Sequence, residues 1–265
     1  MIEIIVLSND ISKKLESQLD EKLFSKRRKK NLPDGFKKGK VVNEVLDKPT
    51  VMLLYKLIKD HVIAYVNGPV SAGKESVVFW AVDGNNNDVA LKIYLVSTSN
   101  FKKRESYIVG DPRFSKVKKG TKNLVYLWAK KEFRNLSKCF DSGIPVPKPI
   151  NLSNNVLAME FVGKNGSPAK ILLESEVDYD DYTQSISILK NLYQKANLVH
   201  GDYSEYNIFK TEQGLVVFDL GSAVDLRHPN AKEFLKRDIS NITRFFSKRG
   251  ISVNDPVKLF EEIIS

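Results

Sequence analysis

Residues 61–96 read HVIAYVNGPVSAGKESVVFWAVDGNNNDVALKIYLV, with β-branched and aromatic residues alternating between turn signals at Asn67-Gly68, Ala72-Gly73 and Asp83-Gly84. A period of two over three successive runs predicts three antiparallel strands. That constrains the stretch GPVSAGKES at 68–76, which almost spells the phosphate loop G-x-x-x-x-G-K-[ST] but has Glu75 at the last position. A loop of that kind must open a helix, whose N-terminus receives the phosphates. Here SVVFWAV follows, and it is β-rich. The glycine stretch therefore reads as a turn between two strands. Two uses fit it alike: an ordinary hairpin, or a turn lying over phosphates. In the second, Ser71, Ala72 and Gly73 are small enough for backbone N–H groups to approach an anion, and Lys74 adds charge.

Lys92 lies on the third strand, in VALKIY, with apolar neighbours on both sides. A lysine there either reaches solvent from an edge or is buried and paired. Phosphoryl-transfer enzymes of the protein-kinase kind pair such a strand lysine with a glutamate on a following helix. KKEFRNL at 130–136 offers Glu132, on a helix anchored through Phe133 and Leu136. Taken alone, Glu132 would pass for a solvated surface residue.

LVHGDYSEYNIF at 198–209 and VVFDLG at 216–221 hold polar groups that a core does not need. Kinase catalytic loops read H-R-D-x-x-x-x-N, with the Asp as base and the Asn on magnesium. This chain has His200-Gly201-Asp202 and then Asn207 at the same spacing, and Asp219 matches the metal-binding Asp of D-F-G on a strand. Transfer of a phosphoryl group needs an aligned nucleophile and neutralised charge. Asp202 is assigned to the first task, Asp219 and Asn207 to holding Mg2+, a hard cation that prefers oxygen. His200 is read as structural, bridging backbone groups. Singly, Asn207 could cap a turn and Asp219 could end a strand; the ordered set after Lys92 and Glu132 argues otherwise.

Elsewhere, residues 2–7 suit a short strand. Residues 10–24 suit a helix with Ile11, Leu15, Leu19 and Leu23 on one face. Five successive basic residues, Lys26 to Lys30, open an exposed segment over 26–40, read equally as a solvated helix end or an RNA contact. Helices are predicted near 49–60 (starting at Pro49 and Thr50), 123–140, 180–197, 229–247 and 255–264. Strands follow the proline-rich turn at 143–149, and another covers 214–219. Residues 97–122 are polar, poorly periodic and read as a flexible loop.

The order of elements suggests an α+β chain of two lobes with its hinge near 159–164. A chain of 265 residues, 42% hydrophobic and 28% charged, can bury a substantial core. Its 42 basic against 32 acidic residues give a net charge of +10, which favours an anionic partner such as a nucleotide or RNA, or else serves solubility. The single cysteine, Cys139, excludes an internal disulfide, and no zinc spacing occurs. The N-terminus lacks the basic start of a signal peptide, and no apolar run reaches a membrane span of about 20 residues. These features suggest a cytoplasmic setting without membrane contact.

HGD also occurs in small-molecule kinases of the aminoglycoside and choline type, but little chain follows Asp219 to build their substrate domain. No A-P-E follows DLG, which argues against a conventional protein kinase. The wider text SAGKESVVFWA, LKIYLVSTSNF, GDPRF, KKEFRNL, GIPVPKP, VLAMEFVG, LVHGDYSEYNIF and LRHPNAKEFLKRDISNITRFFSKRG resembles the RIO family of atypical protein kinases, in its type-1 branch, over roughly 45–250. Ala72 and Gly201 depart mildly from the family's common Thr and Ala.

The resemblance implies a trimmed two-lobed protein-kinase-like fold with extra N-terminal helices and no activation segment. Its parts would be an extension at 1–48, an N-lobe at 49–160 with a flexible insertion near 97–122, and a C-lobe at 161–265. It implies ATP with Mg2+ or Mn2+, and adenine met by Met159, Glu160 and Val162. It also implies serine autophosphorylation or a phospho-aspartate on Asp219, and partners in the small pre-ribosomal subunit, both rRNA and protein. The chain's end soon after the core suggests an archaeal source. The competing expectations are a small-molecule phosphotransferase and an RNA-binding scaffold working through 26–40.

Overall fold

The computed structural model describes residues 46–96, 104, 106–114 and 120–265. The strand expected at 2–7, the helix at 10–24 and the basic segment at 26–40 lie outside the described residues.

Helix α1, Lys48–Lys59, precedes the sheet. Asp47 caps it by accepting from Thr50 N at 3.0 Å, and Pro49 fits the first turn because its missing N–H would be unpaired there anyway. Its buried Leu54 and Leu57 lie against one face of a five-stranded antiparallel sheet, packed on Val66, Phe79, Leu91, Ile93 and Ala158. The strands are β1 Tyr65–Ala72, β2 Ser76–Val82, β3 Asp88–Tyr94, β4 Pro149–Ser153 and β5 Val156–Glu160, in the order β1-β2-β3-β5-β4. Two of the three expected turns join them, at Gly73 and at Asp83-Gly84. The third is corrected: Asn67-Gly68 lies inside β1, where the register shifts between Val66 and Gly68. A glycine in a strand interior marks a bulge as readily as a turn.

Helix α2, Thr121–Asp141, carries a stripe of buried residues, Val125, Trp128, Glu132, Leu136 and Cys139, spaced three or four apart. The loop expected over 97–122 is built in part. Among its described residues, Pro112–Phe114 form a 3-10 turn, Ile108 and Phe114 are buried beside Trp128, and α2 already begins at Thr121. Val109 stays exposed, and His228 Nε2 lies 3.2 and 3.0 Å from the Ser106 and Val109 carbonyl oxygens. Because His228 Nδ1 accepts from Asn230 N, Nε2 carries the proton and donates.

Beyond β5 come two-residue strands β6 Gly163–Lys164, β7 Ser167–Pro168 and β8 Lys170–Ile171. Then follow α3 Tyr179–Gln194, β9 Leu198–Val199, β10 Ile208–Thr211, β11 Gly214–Val217, β12 Val224–Asp225, α4 Ala231–Lys248 and α5 Pro256–Ile264. A second core, including Leu189, Leu192, Ile208, Ile239, Ile242 and Phe246, joins α3, α4 and α5 to β9–β12. Met159, at the end of β5, packs against this core and against the Trp128 cluster. The chain passes from Asp219 through a 3-10 turn at Leu220–Ser222 and β12 directly into α4. No helix among the described residues is long and apolar enough to cross a membrane.

Candidate active site

Four elements converge on one charged centre. Lys92, on β3, is 8% exposed, and Glu132, on α2, is 2% exposed. Lys92 Nζ donates to Glu132 Oε1 at 2.8 Å and Oε2 at 3.0 Å, and to Asp219 Oδ1 at 2.9 Å. Tyr94 OH also donates to Glu132 Oε2. The lysine is thus buried and paired, not an edge residue.

Two carboxylates sharing one cation do not titrate alike. Burial drives the Glu132 carboxyl upward against the pull of Lys92, with Asp219 adding to the rise. Burial also opposes ionisation of Asp219, but Lys92, through its charge and hydrogen bond, and Arg104 hold that carboxyl below its ordinary range. Lys92 stays cationic: burial works against its charge, and the two carboxylates outweigh it.

Asp219 has left the strand on which it was expected. β11 ends at Val217, and Asp219 sits in the left-handed region at φ 59° and ψ 59°. That backbone is uncommon outside glycine, though aspartate tolerates it better than most residues, and it turns the side chain out of the sheet. Phe218 N donates to the Asn207 carbonyl at 3.0 Å, which ties the two expected metal residues together. Phe209 and Phe218 stack beside them with ring centroids 4.0 Å apart.

Asn207 Nδ2 donates to the Asp202 carbonyl at 2.8 Å and lies 3.3 Å from Asp202 Oδ2. Its amide oxygen therefore faces away from Asp202. Asp202 is exposed, and its carboxyl is raised by partial burial and by the charge of Asp219. A raised carboxyl is a better proton acceptor.

His200 is fully buried, with Nε2 3.2 Å from the Phe218 carbonyl oxygen, and burial pushes its pKa down to about 4. It meets one backbone carbonyl and, among the described residues, does not make the bridge between backbone groups that the sequence suggests. Gly201 has φ +76°, and a Cβ there would stand 2.9 Å from the Ser222 carbonyl oxygen.

The residues expected to bind nucleotide are placed unevenly. Ser71, Gly73 and Lys74 stand exposed at the β1–β2 turn. Their link to the centre is Glu75, which pairs with Arg104 at 2.6 Å; Arg104 in turn lies over the Trp128 ring at 5.0 Å and 3.4 Å from Ser222 Oγ. Met159, Glu160 and Val162 lie where β5 leaves the sheet. There Glu160 N already donates to the Lys148 carbonyl and the Val162 carbonyl accepts from Ala169 N.

Sequence reasoning missed three buried polar residues. Asp238 accepts from Gly201 N at 2.7 Å and Tyr203 N at 3.0 Å, and so holds the loop on either side of Asp202 from α4. Burial raises its carboxyl to about 7 against those two donors. Lys131 and Asn135, on α2, contact the turn after Asp219. A signal existed: Asp238 stands among Phe234, Leu235, Ile239 and Ile242, and Asn135 stands seven residues after Trp128, so both lie on apolar helix faces.

The donor set suits magnesium. Among the described residues nothing donates to Asp219 Oδ2 or to Asn207 Oδ1, so two hard oxygens remain uncommitted. No cluster of three or more His, Cys, Asp or Glu able to hold a metal occurs among those residues. A cation here would complete its shell with water and phosphate oxygens, as Mg2+ does.

Comparison with known proteins places the chain in a family. The family model for the RIO domain matches residues 77–259. The RIO-type serine/threonine-protein kinase Rio1 of Haloferax volcanii is 39% identical over 250 residues, covering 94% of this chain and 85% of the relative. The Rio1 of Methanocaldococcus jannaschii is 39% identical over 258 residues, covering 95% and 87%. The chain spans 40% of the human serine/threonine-protein kinase RIO1, at 37% identity. The solved structure of Rio2 kinase from Chaetomium thermophilum in complex with ADP/Mg2+ and phosphoaspartate has TM-score 0.62 at 24% identity, over 80% of this chain and 65% of that one. A second structure of that kinase has TM-score 0.63 at 23% identity, over 99% and 77%. The likeness to Rio2 concerns the fold, a mixed α+β kinase-like one. The chain belongs to the RIO family, as a RIO1-type serine/threonine protein kinase.

Proposed function

We propose that this protein transfers the γ-phosphoryl group of ATP to a serine hydroxyl, including its own, and turns over ATP while acting in maturation of the small ribosomal subunit. The observation that carries this reading is Lys92 held at once by Glu132 and Asp219, with Asp202 and Asn207 tied together beside them. Residues up to 160 would form the lobe above the nucleotide, and residues from 161 a trimmed lower lobe. Met159, Glu160 and Val162 would line the adenine between them. The direct passage from Asp219 into α4 supports a lower lobe without an activation segment.

In this reading Glu132 orients Lys92, whose amine binds phosphate oxygens. Ser71, Gly73 and Lys74 cover the phosphates from the β1–β2 turn. Asp219 and Asn207 would hold Mg2+, which supplies positive charge against the phosphate oxygens when bound. Asp202 accepts the proton of the attacking hydroxyl on a carboxylate oxygen. Asp238 and His200 keep that loop and the Phe218 carbonyl in place. The ribosomal and cytoplasmic parts of the reading are supported by the family membership and by the net charge of +10.

The test is purified protein with Mg2+ and γ-labelled ATP, followed by acid and hydroxylamine treatment. Label stable to acid is phosphoserine and makes the protein act as a kinase. Label released by hydroxylamine is an acyl phosphate, assigned to Asp219, and marks an ATPase cycle. Asp202→Ala is expected to abolish transfer while ATP binding persists; wild-type turnover in that variant would remove Asp202 as the base.

A further inference from the structure

Asp219 is held by Lys92, and the turn behind it has one backbone hydrogen bond of its own, from Ala223 N to the Leu220 carbonyl at 3.2 Å. The stretch from Phe218 to Ala223 passes through a left-handed residue and a single 3-10 turn. Regular structure leaves most of its carbonyl groups without backbone partners, so other groups must satisfy them.

Side chains do so in sequence. The Leu220 and Ala223 carbonyls each accept from Asn135 Nδ2 at 2.8 Å. The Gly221 carbonyl accepts from Lys131 Nζ at 2.8 Å, and the Ala223 carbonyl accepts from Lys131 as well. Gly221 lies so close to Trp128 that a Cβ would stand 2.7 Å from the indole nitrogen. Trp128, Lys131 and Asn135 share one face of α2, adjacent to the Glu132 position that holds Lys92.

The cost of this arrangement argues for a purpose. Lys131 and Asn135 are both 0% exposed, and the hydrogen bonds of Lys131 run to carbonyl oxygens. A buried amine whose only other close partner among the described residues is the Trp128 ring, 5.4 Å away, is unfavourable compared with an apolar side chain of similar size. Burial, with the nearby charge of Arg113, pushes its pKa down to about 7. Asn135 is itself fixed: Arg113 Nη1 donates to its Oδ1 at 2.8 Å, and Arg113 is held by Asp111 through bonds of 2.9 and 2.7 Å. Neither residue points at a substrate position.

We propose that Lys131 and Asn135 are positioning residues for Asp219, setting its left-handed backbone by gripping the carbonyls of Leu220, Gly221 and Ala223, so that α2 aligns Asp219 as well as Lys92. This rests on the reading of Asp219 as the Mg2+ residue. A change in the turn would then act on the cation and leave the rest of the nucleotide site intact.

The experiment measures ATP affinity in EDTA and the Mg2+ concentration giving half-maximal ATP turnover. Wild type is compared with Lys131→Met and with Arg113→Gln, which frees Asn135 Oδ1 at a more exposed position. In both variants affinity in EDTA should stay within about twofold of wild type. The half-maximal Mg2+ concentration should rise about tenfold or more in Lys131→Met and about threefold in Arg113→Gln. A role in stability alone would lower the unfolding temperature and leave the Mg2+ requirement unmoved. An unmoved requirement in Arg113→Gln, or in a folded Lys131→Met, overturns the inference. Wild-type protein that neither binds nor turns over Mg2+-ATP would instead overturn the proposed function and, with it, the premise of this section.

Discussion

Lys92 and Asp219, 127 residues apart in the chain, are joined by a 2.9 Å ion pair, and the same amine holds buried Glu132 at 2.8 Å. Removing the lysine leaves Glu132 desolvated and uncompensated. Lys92→Met is therefore expected to lower stability by about 3–5 kcal/mol. Lys92→Met combined with Glu132→Gln should recover much of that, because the amide carries no buried charge. Phosphoryl transfer should be lost in both. Urea unfolding of the two variants decides it: equal stabilities would mean that the pair is not coupled.

Gly73 separates the two uses that the sequence left open for the β1–β2 turn. Its backbone does not lie in the left-handed region, and a Cβ would meet only the Ser76 carbonyl oxygen, at 3.4 Å. The turn itself does not demand glycine. If the loop lies over phosphates, Gly73→Val should leave stability within about 0.5 kcal/mol and weaken ATP binding roughly tenfold. Isothermal titration showing unchanged affinity would return the loop to an ordinary hairpin.

Local pattern carried the sequence reading as far as it could go. Alternation gave away β1, β2 and β3, and fixed spacing tied His200, Asp202 and Asn207 to one loop. The Asn67-Gly68 pair misled because a bulge and a turn use the same residue types. Lys130 and Lys131 are identical neighbours in the text, yet one is exposed and the other fully buried. What distinguishes them is a pair of carbonyls about 90 residues further along the chain. The apolar helix faces of Asn135 and Asp238 could be read from spacing; the distant backbone groups that they and Lys131 serve could not. Asp219 shows the same limit: its motif was legible, its departure from the strand was not.

Gly201 stands where the catalytic-loop pattern has arginine. The glycine relieves φ +76° and clears the Ser222 carbonyl oxygen, 2.9 Å from where a Cβ would be. Gly201→Ala is expected to cost about 1–2 kcal/mol, from the left-handed penalty plus a shift of one backbone segment. The shift falls between Asp202 and the turn after Asp219, so turnover should fall along with stability. Thermal unfolding and ATP turnover on the same preparation test this; an alanine variant as stable as wild type would show that the loop relaxes freely.

His200 gives the acid side of the stability profile a specific term. Burial lowers its pKa from 6.5 to about 4, and among the described residues its Nδ1 has no hydrogen-bond partner that could favour a second proton. The unfolded chain takes up a proton below about pH 6.5, while the native chain resists until about pH 4. Its contribution is therefore present above pH 6.5 and is lost as pH falls through that window, by roughly 3 kcal/mol in all. Buried carboxyls raised from their ordinary range, such as Glu132, also bear on the acid side, so the measurement must be a difference. Urea unfolding of wild type and His200→Asn at pH 7 and pH 4 isolates the histidine. Wild type should lose more stability than the variant; parallel losses would mean that the imidazole is already protonated in the native loop.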